Sequence, residues 1–127
     1  MKERIDTKDA PQAIGAYSQA IRIKAQELLF VSGQIAINPK SGQMEPQDIE
    51  VQTKRVLENI TAILKEAGHD WENVVKATIY LTDLANFSKV NEIYATYVKD
   101  PKPARACVEV SRLPKDALVE IEVISAK

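Results

Sequence analysis

In these 127 residues, the side chains best suited to chemistry are Arg105 and Glu120, close to the C-terminal end. Arg105 stands in Pro103-Ala104-Arg105-Ala106-Cys107-Val108-Glu109-Val110, among small and apolar neighbours that cannot pair with its guanidinium. Its planar fork of donors matches a carboxylate, which Glu120 or a ligand could supply. If Glu120 supplies it, the pair is a structural bridge. If a ligand does, Glu120 is free to hold a water or move a proton. Spacing leaves both open, and Glu122 shares the parity of Glu120, so one of the two could simply reach solvent.

Two further residues invite a chemical role. Cys107 lacks the neighbouring His or helix N-terminus that lowers a thiol's pKa, and suits the wall of a site better than its nucleophile. His69, the single histidine, follows a helix end, where an exposed and partly cationic imidazole is favourable, and is expected to be a turn residue. The sequence has no glycine-rich phosphate loop, nucleophile-elbow serine or helix with paired histidines. Nucleotide hydrolysis, acyl-enzyme hydrolysis and zinc chemistry therefore lack their parts.

The elements that must position these residues follow from periodicity. Both flanks of residues 111–117 alternate with period two, and that connection holds Pro114 and Asp116, which suit a turn. The expected unit is a β-hairpin with Arg105 opposite Glu120 and Cys107 opposite Leu118. Arg105, Cys107 and Glu120 would then share one face, while Ala106, Val108, Val110, Val119, Ile121 and Val123 fill the core face.

Upstream, residues 7–20 mix Pro and Gly with few periodic hydrophobes and predict an irregular segment. Tyr17 on it is either a site wall or a packed surface aromatic. Residues 20–23 and 28–31 read as a hairpin, with residues 35–37 resuming the strand before a turn at 38–42. Gly33, between Ser32 and Gln34, marks a bulge or a close approach by a backbone or ligand. Residues 48–67 predict a helix ended by Gly68, and residues 74–81 a half-buried strand. A second helix, capped by Asp83 or Asn86, carries Phe87, Val90, Tyr94, Tyr97 and Val98 as its apolar stripe. Asn91 at the edge of that stripe is an amide that needs partners.

The order is βββαβαββ, with two helices on one face of a mainly antiparallel sheet in an α+β sandwich. Too few elements remain to cover the other sheet face, which is expected to carry Arg105 and to be closed by another subunit. A ring of such sheets around a closed barrel is one solution.

Composition bounds the function. With 45% hydrophobic and 28% charged residues, the chain fits one domain over residues 1–127. A formal net charge of -1 gives no general footprint for nucleic acid or an anionic membrane. No apolar run reaches transmembrane length and Met1-Lys2-Glu3-Arg4 opens no signal peptide, so a cytoplasmic protein is expected. One Cys excludes an internal disulfide, and one His without a Cys cluster gives no zinc spacing.

The motif around Arg105, with Leu113-Pro114-Lys115-Asp116 and Ile121-Glu122 after it, closely resembles the signature of the RidA/YjgF family of enamine/imine deaminases. Ile14-Gly15-Ala16-Tyr17-Ser18-Gln19-Ala20, Ser32-Gly33-Gln34 and Asn38-Pro39 with Ser41-Gly42 support the resemblance, which runs from Ala10 to the C-terminus. It implies a homotrimer of chorismate-mutase-like α+β subunits forming a trimeric barrel. It also implies cofactor-free hydrolysis of 2-iminobutanoate and 2-iminopropanoate to 2-keto acids and ammonia.

By the same resemblance, Arg105 clamps a substrate carboxylate and Glu120 holds and activates the water. Gly33 and Cys107 offer backbone contacts, and Tyr17, Ser32, Phe87 and Asn91 complete a pocket at the subunit interface. Ala16 departs from a frequent Pro and loosens the Tyr17 loop. Ala106 replaces a frequent Ser, on the core side by the hairpin parity, and the linker before Pro103 is shorter than in some members. Two other activities stand beside this one: a non-catalytic binder of small 2-keto acids, and a ribonuclease or translation inhibitor. Near-neutral charge and no basic, aromatic-lined groove argue against the second.

Overall fold

Strict alternation along the last strand and helical spacing in the middle of the chain lay out two layers. The computed structural model describes residues 1–127. In chain order the elements are β1 (Lys2–Ile5), β2 (Ala20–Ile23), β3 (Leu28–Gln34), α1 (Ile49–Glu66), β4 (Val74–Leu81), α2 (Phe87–Ala95), β5 (Ala104–Glu109) and β6 (Val119–Ala126). The main sheet runs β3-β6-β4-β5, with β6 antiparallel to both neighbours and β5 parallel to β4. Both helices lie on one face, so the α+β sandwich expected from the pattern is the architecture observed.

α1 begins where Asp48 accepts a hydrogen bond from the Val51 N–H at 3.0 Å, and Gly68, at φ 75°, follows its C-terminal cap. Its inward stripe, Val56, Leu57, Ile60 and Leu64, packs on Ile79, Leu81, Ile121 and Val123 of the sheet and on Val90 and Tyr94 of α2 in one buried cluster. Truncating a fully buried member such as Leu57 to Ala would cost about 2–5 kcal/mol.

Two pairings differ from expectation. β5 and β6 do not form a hairpin, because β4 lies between them. On β4, Ala77 and Ile79 are register partners of Arg105 and Cys107 on one side, and Tyr80 is the partner of Glu120 on the other. Register partners share a sheet face, so Arg105 and Cys107 go with buried Ala77 and Ile79 toward the helices, and Glu120 goes with Tyr80 to the open face. Ala106 and Val108, partners of Thr78 and Tyr80, also face the open side rather than the core. Period-two alternation sets the relative phase of residues within one strand, but not between strands that are not neighbours. Nothing in residues 110–118 distinguishes a tight turn from a crossover past β4.

The early strands differ as well. β2 pairs with β1, Glu3 opposite Arg22 with a 2.7 Å ion pair, rather than with β3. The strand count survives because β1 replaces residues 35–37, where only Ile37 makes a bridge, to Met44. Lys2-Glu3-Arg4-Ile5 has no fully buried residue, and so no hydrophobic period to betray it.

His69 is buried, not an exposed turn residue. Its Nε2 meets Glu27 Oε1 and its Nδ1 meets Ser125 Oγ, each at 2.5 Å, tying the α1 terminus to the β2–β3 turn and the end of β6. Its partners lie 42 and 56 residues away, beyond the reach of local spacing.

Candidate active site

Phe87, Asn91 and Tyr94 are spaced i, i+4, i+7 on α2, which stacks them on one helix face. Arg105 rises from β5 into that face. Its Nη1 donates to Asn91 Oδ1 at 2.5 Å and to the Ala16 carbonyl at 3.5 Å. Its Cζ lies 5.2 Å from the ring centroid of Tyr17 and 5.4 Å from those of Phe87 and Tyr94, within cation–π range of all three.

Arg105 joins none of the protein's ion pairs, and Nε and Nη2 have no protein acceptor. A half-buried cation is thus held by neutral groups with part of its fork free. Asn91, the amide that needed partners, has found one in this guanidinium.

The loop carrying Tyr17 is fastened to the start of β5. Ser18 Oγ donates to the Lys102 carbonyl at 2.5 Å, and Ser18 N to the Pro103 carbonyl at 3.1 Å. Behind it, Gln19 accepts from Thr7 N at 2.8 Å and donates to the Pro11 carbonyl at 2.8 Å, closing the irregular segment on itself. These two bonds join the Tyr17 loop to the segment that leads into the strand carrying Arg105. Cys107, two residues on, packs against the core, and burial pushes its thiol pKa up against the opposing pull of Arg105. A thiol held protonated is a wall rather than a nucleophile.

Glu120 belongs to a second cluster on the open face. β3 is bulged between Val31 and Gln34, and a Cβ built on Gly33 would lie 2.0 Å from Glu120 Oε2. The glycine marks the bulge the sequence suggested, and the group that comes close to it is the side-chain carboxylate of Glu120, which the sequence did not suggest. Ser32 lines an adjoining hollow with Phe30, Lys76, Thr78 and Glu122. Glu122 accepts from Tyr80 Oη at 2.7 Å, a bond that raises the phenol's pKa.

The site residues expected together therefore fall into two sets. Tyr17, Phe87, Asn91, Arg105 and Cys107 meet on the helix side of the sheet, while Ser32, Gly33 and Glu120 meet on the open side. No bridge joins Arg105 to Glu120.

Comparison with known proteins gives the family. A family model described as Endoribonuclease L-PSP matches residues 7–127. A RutC family protein of Pyrococcus horikoshii is 56% identical over 127 residues, covering 100% of this chain and 99% of that protein. The chain belongs to the RidA/YjgF family. The chloroplastic Reactive Intermediate Deaminase A of Arabidopsis thaliana is 48% identical over 124 residues, covering 98% of this chain and 65% of that protein. The crystal structure of YyfA, a Rid family protein of Yersinia pestis, superposes with a TM-score of 0.77 at 53% identity, covering both chains completely. RidA/YjgF relatives thus share the fold and include reactive intermediate deaminases.

Two residues of this RidA/YjgF chain escape sequence reasoning. Tyr94 reads as a core stripe residue, yet its ring faces Arg105. Gln52 sits on a charged stretch of α1 but is fully buried, accepting from Leu118 N at 2.9 Å and donating to the Pro46 carbonyl at 3.1 Å. It fixes the backbone two residues ahead of Glu120. A signal existed for both: Tyr94 shares the spacing of Phe87 and Asn91, and Gln52 stands three residues after Ile49 and four before Val56, on the stripe of α1.

Proposed function

We propose that this protein hydrolyses 2-imino acids, 2-iminobutanoate and 2-iminopropanoate among them, to 2-keto acids and ammonia without a cofactor. The observation that carries this reading is Arg105, a half-buried guanidinium with no carboxylate partner in its own chain. A substrate carboxylate on Nε and Nη2 completes the fork and holds the imine carbon in a fixed place. Glu120 takes a proton from the water as the water oxygen bonds to that carbon, and the C=N electron pair moves to nitrogen, which takes a proton from solvent. Glu120 then returns its proton to the amine of the carbinolamine, whose hydroxyl proton leaves to solvent as the carbonyl forms, the C–N bond breaks and ammonia departs. Naming of a relative as a Reactive Intermediate Deaminase supports the same chemistry.

Since Arg105 and Glu120 lie on opposite faces of one sheet, the reading requires two subunits per site. One contributes Tyr17, Phe87, Asn91, Arg105 and Cys107, and the next contributes Ser32, Gly33 and Glu120. The open face supports this with exposed apolar side chains, Phe30 at 69% and Val108 at 42%, beside the Glu120 cluster. Covering it with further copies in a closed homotrimer solves the burial problem and builds the site together. A formal net charge of -1 speaks against the alternative of RNA cleavage.

An assay of keto-acid formation from the imine released by a threonine dehydratase tests the reading. Wild type should accelerate the loss of imine, and Arg105→Ala should abolish the effect while the protein stays folded and assembled. Full activity in Arg105→Ala would sink the assignment. Binding of 2-oxobutanoate without any acceleration would make the protein a keto-acid binder instead.

A further inference from the structure

Three aromatic rings surround Arg105, and they are held very differently. Tyr17 sits on a loop and Phe87 at the first turn of α2, each half-buried. Tyr94 is 0% exposed, inside the cluster that includes Val90, Leu57 and Ile60. Its hydroxyl is buried with no hydrogen-bond partner, so the polar end contributes no bond to the fold. Its ring is another matter, because the guanidinium carbon lies 5.4 Å from the centroid.

A guanidinium on a flexible stem needs more than one contact to present its fork in one direction. Asn91 and the Ala16 carbonyl both hold Nη1, the second at the long distance of 3.5 Å. Hydrogen bonds at one corner leave the plane free to swing about it, and a ring face restrains that swing. Of the three rings, Tyr94 alone is fully buried within the core cluster. We propose that Tyr94 is a positioning residue: its ring is the rigid floor that orients Arg105 so that Nε and Nη2 meet a ligand carboxylate. This rests on the functional reading above and deepens it, since Tyr94 acts through Arg105 and does not touch substrate.

Substitution at position 94 by Phe, and then by phenylalanines of increasing ring fluorination, keeps the shape while draining charge from the ring face. Binding of 2-oxobutanoate and the kinetics of imine hydrolysis are both read. Tyr94→Phe, which keeps the ring and removes only the unpartnered hydroxyl, is the reference point of the series. Across the fluorinated series, Kd and KM should rise in parallel, by about tenfold at full fluorination, with kcat within about twofold. Tyr94→Leu should show the same rise. A purely structural role would lower the melting temperature and leave Kd flat across the fluorinated series, and that result overturns the proposal. If wild type binds no 2-oxobutanoate and hydrolyses no imine, the functional reading falls and this proposal with it. Binding by wild type with a flat fluorinated series sinks this proposal alone.

Discussion

Gly33 is a glycine for reasons of space, not of backbone freedom. Its φ does not lie in the left-handed region, but a methyl group there would stand 2.0 Å from Glu120 Oε2 and 2.9 Å from its Cδ. Of the two, the carboxylate is the movable partner, so Gly33→Ala should displace Glu120 rather than unfold β3. An error of an ångström or so in a water-holding group lowers turnover by about 10²-fold. The expected outcome is such a loss in kcat/KM, with a melting temperature within about 3 °C of wild type. A variant with near-normal turnover would show that the Gly33–Glu120 contact is not part of the chemistry. At this scale the sequence was informative: Gly33 inside a strand and Arg105 among apolar neighbours both announced themselves, because each breaks the local pattern.

Elements were legible in proportion to how much of their signal is local. α1 carries its cap, its stripe and its terminating glycine within its own span, and the helix matches expectation to within a residue at each end. Pairing of β5 and β6 was not legible, because whether β4 intervenes depends on contacts spread over the whole chain. The same non-locality hid His69, whose partners come from the β2–β3 turn and the end of β6. That cluster makes a pH prediction. The hydrogen bond from His69, helped by Lys127 nearby, holds the Glu27 carboxyl below its ordinary value of 4.5. A carboxylate with a depressed folded pKa contributes stability that is present above about pH 4.5 and is lost as pH falls through the folded value. Glu27→Gln should therefore melt below wild type at neutral pH, with the gap closing under acid. A gap that is constant from pH 7 to pH 3 would mean that the charge of Glu27 plays no part.

For the whole molecule, the proposed function makes assembly a condition for catalysis, because Arg105 and Glu120 lie on opposite sheet faces. The expectation that Arg105, Cys107 and Glu120 share one face came from treating β5 and β6 as neighbours. Inserting β4 puts Arg105 and Glu120 on opposite faces within a protomer, so the proposed site needs a second copy to bring them together. A mixture of two inactive variants tests this directly. Arg105→Ala chains keep Glu120, and Glu120→Ala chains keep Arg105. If a site takes Arg105 from one chain and Glu120 from its neighbour, equal co-expression should rebuild about a quarter of all sites, since each of the two chains is the suitable one half the time. Activity near a quarter of wild type, from parents that have almost none alone, is the expected result. Hybrid assemblies no more active than either parent would mean that both residues come from one chain, and the shared-interface site would have to be abandoned.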